Sequence, residues 1–338
     1  MSKPILLLNC GSSSIKYQMI DAETEAVMAV GLVQKVGDPD PGLIDHEVGG
    51  QEWHDETYFP SHTEAIAAVV QMFHAHGPRI EDAVAVGHRS VHGGEQFNST
   101  TIIDQAVIDK LVALSGLAPL HNPPGIAGIR AAMEILPNVP HVAVFDTAFF
   151  AELPAEARTY AIDRKLAREH HIRRYGFHGT SHQYVSGQAA QFLERDLADL
   201  KQIVCHLGNG ASVSAIDGGQ PIETSMGLTP LQGLVMGTRS GDVDPGLAAY
   251  LGREMGMSTG DVDTLLNKKS GMLGLTGKTD MRDIKALIDA GDEDARIGLD
   301  VYVHRLVGYI GSYITYLGGC DCITFTAGVG ENADHIRK

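Results

Sequence analysis

The sequence is poor in positive charge and in cysteine, and no long apolar run interrupts it. Against 42 acidic residues stand only 26 lysines and arginines, a formal net charge of -16. Nothing globally basic is available to neutralise phosphates, which argues against a nucleic-acid or anionic-membrane partner. An anionic small ligand is still allowed, provided its cations are placed locally. The four cysteines are Cys10, Cys205, Cys320 and Cys322. The last two form C-x-C with no second pair to complete a zinc site, so the reading is buried, reduced thiols in a cytoplasmic protein. The N-terminal apolar run, Ile5 to Leu8, is too short for the core of a signal peptide. The most membrane-like segment, residues 301–319, carries His304, Arg305 and several glycines, and reads as a buried helix rather than a span.

Hydrophobic residues make up 43% and charged residues 20%, an ordinary globular balance. A length of 338 residues exceeds what one core usually supports, so two domains are expected. "SHTEAIAAVVQMFHAHGP" predicts a helix. Ser61 and Glu64 make a capping box, Ile66, Val69, Val70 and Phe73 form one stripe, and Gly77-Pro78 stops it. "AVAVGHRSVHGGE" reads as a strand entering a glycine turn, and "HVAVFDTAFF" as a buried strand ending on Asp146. Strands alternate with helices, so the class is α/β. The polar, helix-forming stretch after that strand places a domain boundary near 148.

Two stretches share one plan. "ILLLNCGSSSIKYQMID" and "IVCHLGNGASVSAID" each run from apolar strand through a small polar turn into an alternating strand ending Ile-Asp, the second turn reading one residue longer. Small residues at a hairpin tip let backbone N–H groups and hydroxyls converge on an anion. Ser12 and Ser14 offer donors, Asn9 an amide and Lys16 a point charge. Two such tips, at 9–16 and 206–212, could grip a polyphosphate. A third glycine turn, "ITFTAGVGEN", follows a buried strand. There Gly328 and Gly330 would admit a flat base or ribose, and Asn332 could cap the next helix. "GMLGLTGKT" only imitates a P-loop: Gly271 leaves five residues before Gly277-Lys278 and Gly274 leaves two, where four are needed, and a helical pattern precedes it rather than a strand. Arg89 and Arg239 each sit in a glycine-rich loop, and their forked guanidinium groups suit carboxylate and phosphate oxygens. His88 and His92, like His178 and His182, are four apart, but neither pair has the glutamate of H-E-x-x-H, which disfavours zinc.

"LNCGSSSIKY", "GHRSVHGGE", "LHNPP", "FDTAFF", "RRYGFHGTSH", "HLGNGAS", "TPLQGLVMGTRSGDVDPG", "DMRD" and "AGVGEN" stand in the order in which acetate kinases carry them. The chain resembles that family over essentially its whole length. The resemblance implies two duplicated ribonuclease H-like domains of the actin, Hsp70 and sugar-kinase type, with mixed five-stranded sheets and an interdomain nucleotide cleft. Residues 1–148 would carry the first phosphate hairpin and the acyl-substrate pocket, and 149–338 the nucleotide. It implies reversible transfer of the ATP γ-phosphate to acetate, giving acetyl phosphate and ADP. Mg²⁺ would assist, with Mn²⁺ able to substitute, in a cytoplasmic homodimer.

Matched by motif, Arg89 holds the substrate, while Arg239, His178 and Asn209 stabilise the transferring group. Val91, Leu120, Phe177 and Pro230 would form the methyl pocket. ATP contacts fall on Lys16, on His206, Leu207, Gly208, Asn209 and Gly210, on Asp280, Met281 and Arg282, and on Gly328, Val329, Gly330, Glu331 and Asn332. Asn9 would be the metal ligand. Asp146 matches the family's catalytic aspartate. Acetate is already ionised at neutral pH, so a literal base has no proton to remove, and the expectation is that Asp146 orients Arg239 or holds a water on the metal. Departures from the family are Phe150, where a histidine is usual, and the shortened "TGKTDMRD" lead with Met281. Beyond Gly330 the family usually continues into helices that return to the first domain and into a glutamate for the metal shell. Either the polypeptide is longer than these 338 residues, or, without that segment, Mg²⁺ is expected to arrive with ATP and be weakly held, and apolar surface should lie open beside the first strand. Propionate or butyrate kinase, a sugar kinase of the same fold, and a non-enzymatic nucleotide switch are the competing readings.

Overall fold

The computed structural model describes residues 2–118 and 121–337. The chain forms two compact units, Met1–Ala148 and Phe149–Lys338.

Eight strands build the sheet of the first unit: β1 (Pro4–Cys10), β2 (Ser14–Asp21), β3 (Val27–Gln34), β4 (Gly42–Val48), β5 (Gln51–Thr57), β6 (Ala85–Ser90), β7 (Thr101–Ile102) and β8 (His141–Phe145). Their order is β5-β4-β3-β2-β1-β6-β8-β7. β1 pairs antiparallel with β2 and parallel with β6, and β6 pairs parallel with β8. Alternation in β1 and β2 turns Leu6, Leu8, Ile15, Tyr17 and Met19 into the core, as a period of two requires. The helix His62–His76 lays Ile66, Val69 and Phe73 on that face, with Val70 half-buried. Its cap differs from a capping box. Ser61 Oγ accepts from Thr63 N rather than from Glu64 N, and its hydroxyl donates to the Glu64 carboxylate. Gly77 closes the helix with its N–H on Phe73 O.

The second unit holds β9 (Lys201–Leu207), β10 (Ala211–Asp217), β11 (Gln220–Thr224) and β12 (Cys322–Thr326), in the order β11-β10-β9-β12. β9 pairs antiparallel with β10 and parallel with β12. This repeats β3-β2-β1-β6 strand for strand, with the same sense at each pairing. The duplication read from two hairpins therefore extends over four strands.

Strand number departs from the expected five. In the first unit β3-β2-β1-β6-β8 is such a core, widened by the β4–β5 hairpin and the two-residue β7. β5, "QEWHDET", is almost wholly exposed, so its sequence lacks the apolar alternation that announces a strand. In the second unit β12 has no partner beyond it among the described residues. The turn lengths also differ from expectation. Four residues, Gly11 to Ser14, lie between the paired Cys10 and Ile15. Three, Gly208 to Gly210, lie between the paired Leu207 and Ala211, so the second turn is the shorter.

The membrane-like segment lies in the helix Glu293–Leu317, where Tyr302, Leu306, Tyr313 and Leu317 are buried but Val307 and Tyr316 are 60% and 65% exposed. It is a surface helix with one apolar face inward, not a buried one. No described helix is long and apolar enough to cross a membrane. Gly277 caps the helix Gly271–Thr276 in the left-handed conformation, φ 73°, which places Gly-Lys-Thr after a helix and excludes a P-loop. The four thiols form no disulfide, and burial pushes the Cys205 thiol up to about 12, leaving it inert.

Candidate active site

In the first unit three parallel strands deliver their C-terminal ends side by side: β1 ends at Asn9-Cys10, β6 carries Arg89, and Asp146 follows β8. Such ends are where α/β sheets place ligands. The register sets Arg89 opposite Val144, and Asp146 N donates to Ser90 O at 2.9 Å. Arg89 Nε then donates to Asp146 Oδ1 at 2.9 Å and Nη2 to Oδ2 at 2.6 Å, a fork-to-fork pair. Arg89 Nη1 reaches Asn9 Oδ1 at 3.4 Å. The Asp146 side chain is 4% exposed and that of Arg89 41%. A buried carboxylate thus aims a half-open guanidinium. Arg89 donates to both Asp146 oxygens, a pairing the sequence reading did not assign, and a bidentate carboxylate keeps lone pairs for a water.

Beneath Arg89, His88 Nε2 lies 2.9 Å from His141 Nδ1, and His141 Nε2 lies 3.0 Å from Leu136 O. A carbonyl only accepts, so His141 carries its hydrogen on Nε2 and takes one from His88 on Nδ1. Burial holds the His88 imidazole down at about 3 and lowers that of His141. Both are neutral spacers, and His88 pairs with His141 rather than with His92. At the β1–β2 tip, Gly11 N donates to Ser14 O at 2.8 Å and His62 Nε2 donates to Gly11 O at 2.8 Å. Ser12 and Lys16 are exposed, Ser14 half-buried, and Val91 is half-buried after β6. Leu120 lies outside the described residues.

In the second unit the β9–β10 tip is crossed by the loop carrying Arg239. Gly237 N donates to Asn209 O at 2.9 Å, and a Cβ on Gly237 would sit 1.9 Å from Asn209 Oδ1. Only glycine lets that loop cross so closely. A Cβ on Gly210 would lie 3.4 Å from Arg239 Nη1 and 3.6 Å from His178 Cε1 and Nε2. Gly210, Arg239 and His178 therefore share one small space. Arg239 Nη1 also donates to Pro230 O at 3.2 Å. Pro230 is half-buried and Phe177 is buried beside His178 in the chain.

His178 stands at the head of the helix Gly179–Phe192 in the left-handed region, φ 60° and ψ 22°, a conformation that costs a histidine about 1–3 kcal/mol and collects at functional sites. Its ring stacks on His206 with centroids 4.2 Å apart. Its Nδ1 is 2.8 Å from Ser212 Oγ. His182, one turn on and fully buried, places Nε2 2.7 Å from the same Ser212 Oγ and Nδ1 2.7 Å from Ser214 Oγ. Burial holds His182 well below the usual imidazole range. His178 and His182 thus meet at a hydroxyl, as hydrogen-bonding groups. Among the described residues no three His, Cys, Asp or Glu side chains group to hold a metal. Phe150 is buried edge-on to His182 at 5.5 Å. Sequence reasoning missed Ser212 and Ser214. Their two-residue spacing on β10, facing histidines one helical turn apart, was the available signal.

The expected glycine turn after β12 is instead a helix, Ala327–Asn332, and β12 itself is only partly buried. Gly330 serves packing, buried against Leu207 and Phe325, while Gly328 is exposed. Asn332 Nδ2 donates back to Gly328 O at 2.9 Å rather than capping a following helix. Glu331 Oε1 accepts from Thr326 Oγ1 at 3.3 Å, and Val329 is half-buried. The helix start meets the β9–β10 tip, with Ala327 Cβ 3.7 Å from a Cβ on Gly208. The stretches 206–210 and 327–332 are thereby brought together. Asp280 caps the helix Met281–Asp289 through Arg282 N at 2.8 Å and pairs with the exposed Arg282 guanidinium at 2.6 Å, which holds its carboxyl down at about 2. The Met281 side chain is buried.

Comparison with known proteins sharpens this picture. The chain is 53% identical over 336 residues to an acetate kinase of Clavibacter sepedonicus, covering 99% of this chain and 85% of that one. It is 41% identical to the crystal structure of an acetate kinase from Porphyromonas gingivalis, with a TM-score of 0.93 over 99% of this chain and 85% of the other. A propionate kinase structure from Francisella tularensis matches at 41% identity and a TM-score of 0.95, over 99% and 86% of the two chains. Residues 4–338 match the model of the Acetokinase family, and the chain belongs to that family.

Proposed function

We propose that this chain transfers the γ-phosphoryl group of ATP to acetate, giving acetyl phosphate and ADP, and runs the reverse reaction. The observation that carries the reading is the convergence of Arg239 and the His178 ring over Gly210, in a chain 53% identical to an acetate kinase over nearly its whole length.

Phosphoryl transfer asks a protein for position and for charge stabilisation. Arg89, aimed by Asp146 and exposed on its other side, binds the acetate carboxylate. A fixed fork matches two oxygens better than a mobile ammonium would. Val91, Phe177 and Pro230 supply apolar surface for the methyl group. Acetate attacks as the carboxylate, so Asp146 need not take a proton, and its work is to hold Arg89. Arg239 and His178 donate to the oxygens on which charge develops, and the Asn209 amide adds a neutral donor. The tip 206–210 and the helix start at 327–332 bind the nucleotide, and Ser12, Ser14 and Lys16 offer donors to its phosphates.

A phosphate-borne metal fits this donor set. Mg²⁺ keeps several waters and needs few protein oxygens when phosphates complete its shell. Asn9 Oδ1, held only loosely by Arg89, would take it directly and Asp146 through water. When bound, the ion neutralises charge on the β- and γ-phosphates.

Hydroxylamine trapping of acyl phosphate, with ATP and Mg²⁺, tests the reading on acetate, propionate and butyrate. Acetate should give the hydroxamate with the highest kcat/KM. No hydroxamate from any of the three would overturn the proposed activity.

A further inference from the structure

We propose that Ser212 and His182 are positioning residues that hold His178 as the tautomer with its hydrogen on Nε2, so that the neutral ring donates toward the phosphoryl oxygens. The proposal rests on the reading of His178 given above. It follows from counting hydrogens. A serine hydroxyl has one hydrogen, and Ser212 Oγ is 2.8 Å from His178 Nδ1 and 2.7 Å from His182 Nε2. At most one ring can accept from Ser212, and unless one does the buried hydroxyl hydrogen loses its bond to either ring, so one ring donates to Ser212 and the other accepts from it. His182 is fully buried, 0% exposed, and neutral, so it has one N–H to share between Ser212 and Ser214.

Two directions satisfy every atom. In the first, Ser214 donates to His182 Nδ1, His182 Nε2 donates to Ser212, and Ser212 donates to His178 Nδ1. His178 then carries its hydrogen on Nε2. In the second, each bond is reversed and Nε2 presents a lone pair. His178 Nε2 lies in the space over Gly210 that Arg239 Nη1 also borders. A lone pair there would repel the anion that the guanidinium attracts, so the first direction is the one that serves phosphoryl transfer. Against the ring stand His206, stacked at 4.2 Å and bonded through Nδ1 to Ser181, then His182, and Arg239. Ser212 and Ser214, 0% exposed, have no access to bulk water that could scramble the direction.

The first test needs no variant. Nitrogen-15 NMR of the imidazoles in the full chain at pH 7.5 should show His178 neutral with its hydrogen on Nε2. Finding the hydrogen on Nδ1, or an imidazolium, overturns the proposal.

The second test is kinetic. Ser212→Ala should lower kcat about 10–100-fold at pH 8, the usual effect of removing a group that orients a functional histidine, with KM for ATP unchanged. Freed from the relay, His178 donates reliably only when protonated, so the loss should shrink as pH falls toward 6. A merely structural role would lower kcat equally at every pH, and that result overturns the proposal. His182→Gln keeps an amide donor near the place of Nε2 and should stay within a few-fold of wild type, whereas the shorter His182→Asn should behave like Ser212→Ala. Equal losses in the two amides also overturn it. His178→Ala separates this inference from the reading beneath it. If His178→Ala is nearly inactive while Ser212→Ala has a wild-type pH profile, the relay is wrong and the role of His178 stands. If His178→Ala turns over within a few-fold of wild type, the reading of His178 itself falls, and the relay with it.

Discussion

The β1–β2 and β9–β10 hairpins share strand order and pairing sense, yet their tips carry different chemistry. Near the first tip a carboxylate fixes an arginine through two bonds, and the arginine keeps an open side. At the second, an arginine and a histidine crowd a glycine, and the histidine is steadied by a buried serine. One backbone plan thus presents two different side-chain arrangements. The difference lies in side chains grafted onto strand ends and tips, which is where function resides on a shared fold. In the proposed reading the first site takes the carboxylate and the second the transferring phosphoryl group.

The largest expected effect separates the two arginines. Arg239→Ala should lower kcat by about 10³–10⁵, the range of an arginine that stabilises phosphoryl transfer, with KM for ATP little changed. Turnover within a few-fold of wild type would remove Arg239 from the transition state. Next comes Asp146→Ala, which leaves Arg89 without its buried partner. Breaking a buried pair costs about 3–5 kcal/mol, and the exposure of Arg89 places the loss at or below the low end of that range. The midpoint of denaturant unfolding should fall and KM for acetate should rise about tenfold or more. An unchanged acetate KM would show that Asp146 does not aim Arg89 at the substrate. Val91→Ala is expected to shift preference toward propionate by about tenfold, the worth of a methylene in an apolar pocket. A constant ratio of kcat/KM for acetate and propionate would place Val91 outside the pocket.

The smallest effect concerns the buried imidazoles under Arg89. His88 binds its proton less readily when folded, at about 3, than an unfolded histidine does, at about 6.5. The unfolded state therefore takes up more protons between those values, and stability falls as pH is lowered through that window. The melting temperature should drop from pH 7 to pH 4, and His88→Gln should flatten that slope. A slope identical to wild type would mean that His88 is not buried as a neutral ring.

Much of the fold was legible in the residues. β1 and β9 are apolar runs, and β2 and β10 alternate in sequence, so pattern alone exposed the hairpins and their repetition. β5 could not be read this way, because both its faces meet solvent. The glycines after β12 suggested a turn, yet the chain there coils into a short helix whose glycine packs on Leu207, a tertiary contact that no local pattern encodes. In the site, Arg89 and Asp146 were each named from motifs, but their pairing was not foreseen. They stand 57 residues apart, and only the parallel register of β6 and β8 makes them neighbours. Ser212 escaped because its two-residue spacing from Ser214 gains meaning only once a helix sets His178 and His182 opposite that strand.

The most direct test of the divided labour between the two hairpins is the pair of Michaelis constants in Arg89→Ala. The account predicts that KM for acetate rises at least tenfold while KM for ATP stays within twofold of wild type. A raised KM for ATP with an unchanged KM for acetate would contradict it.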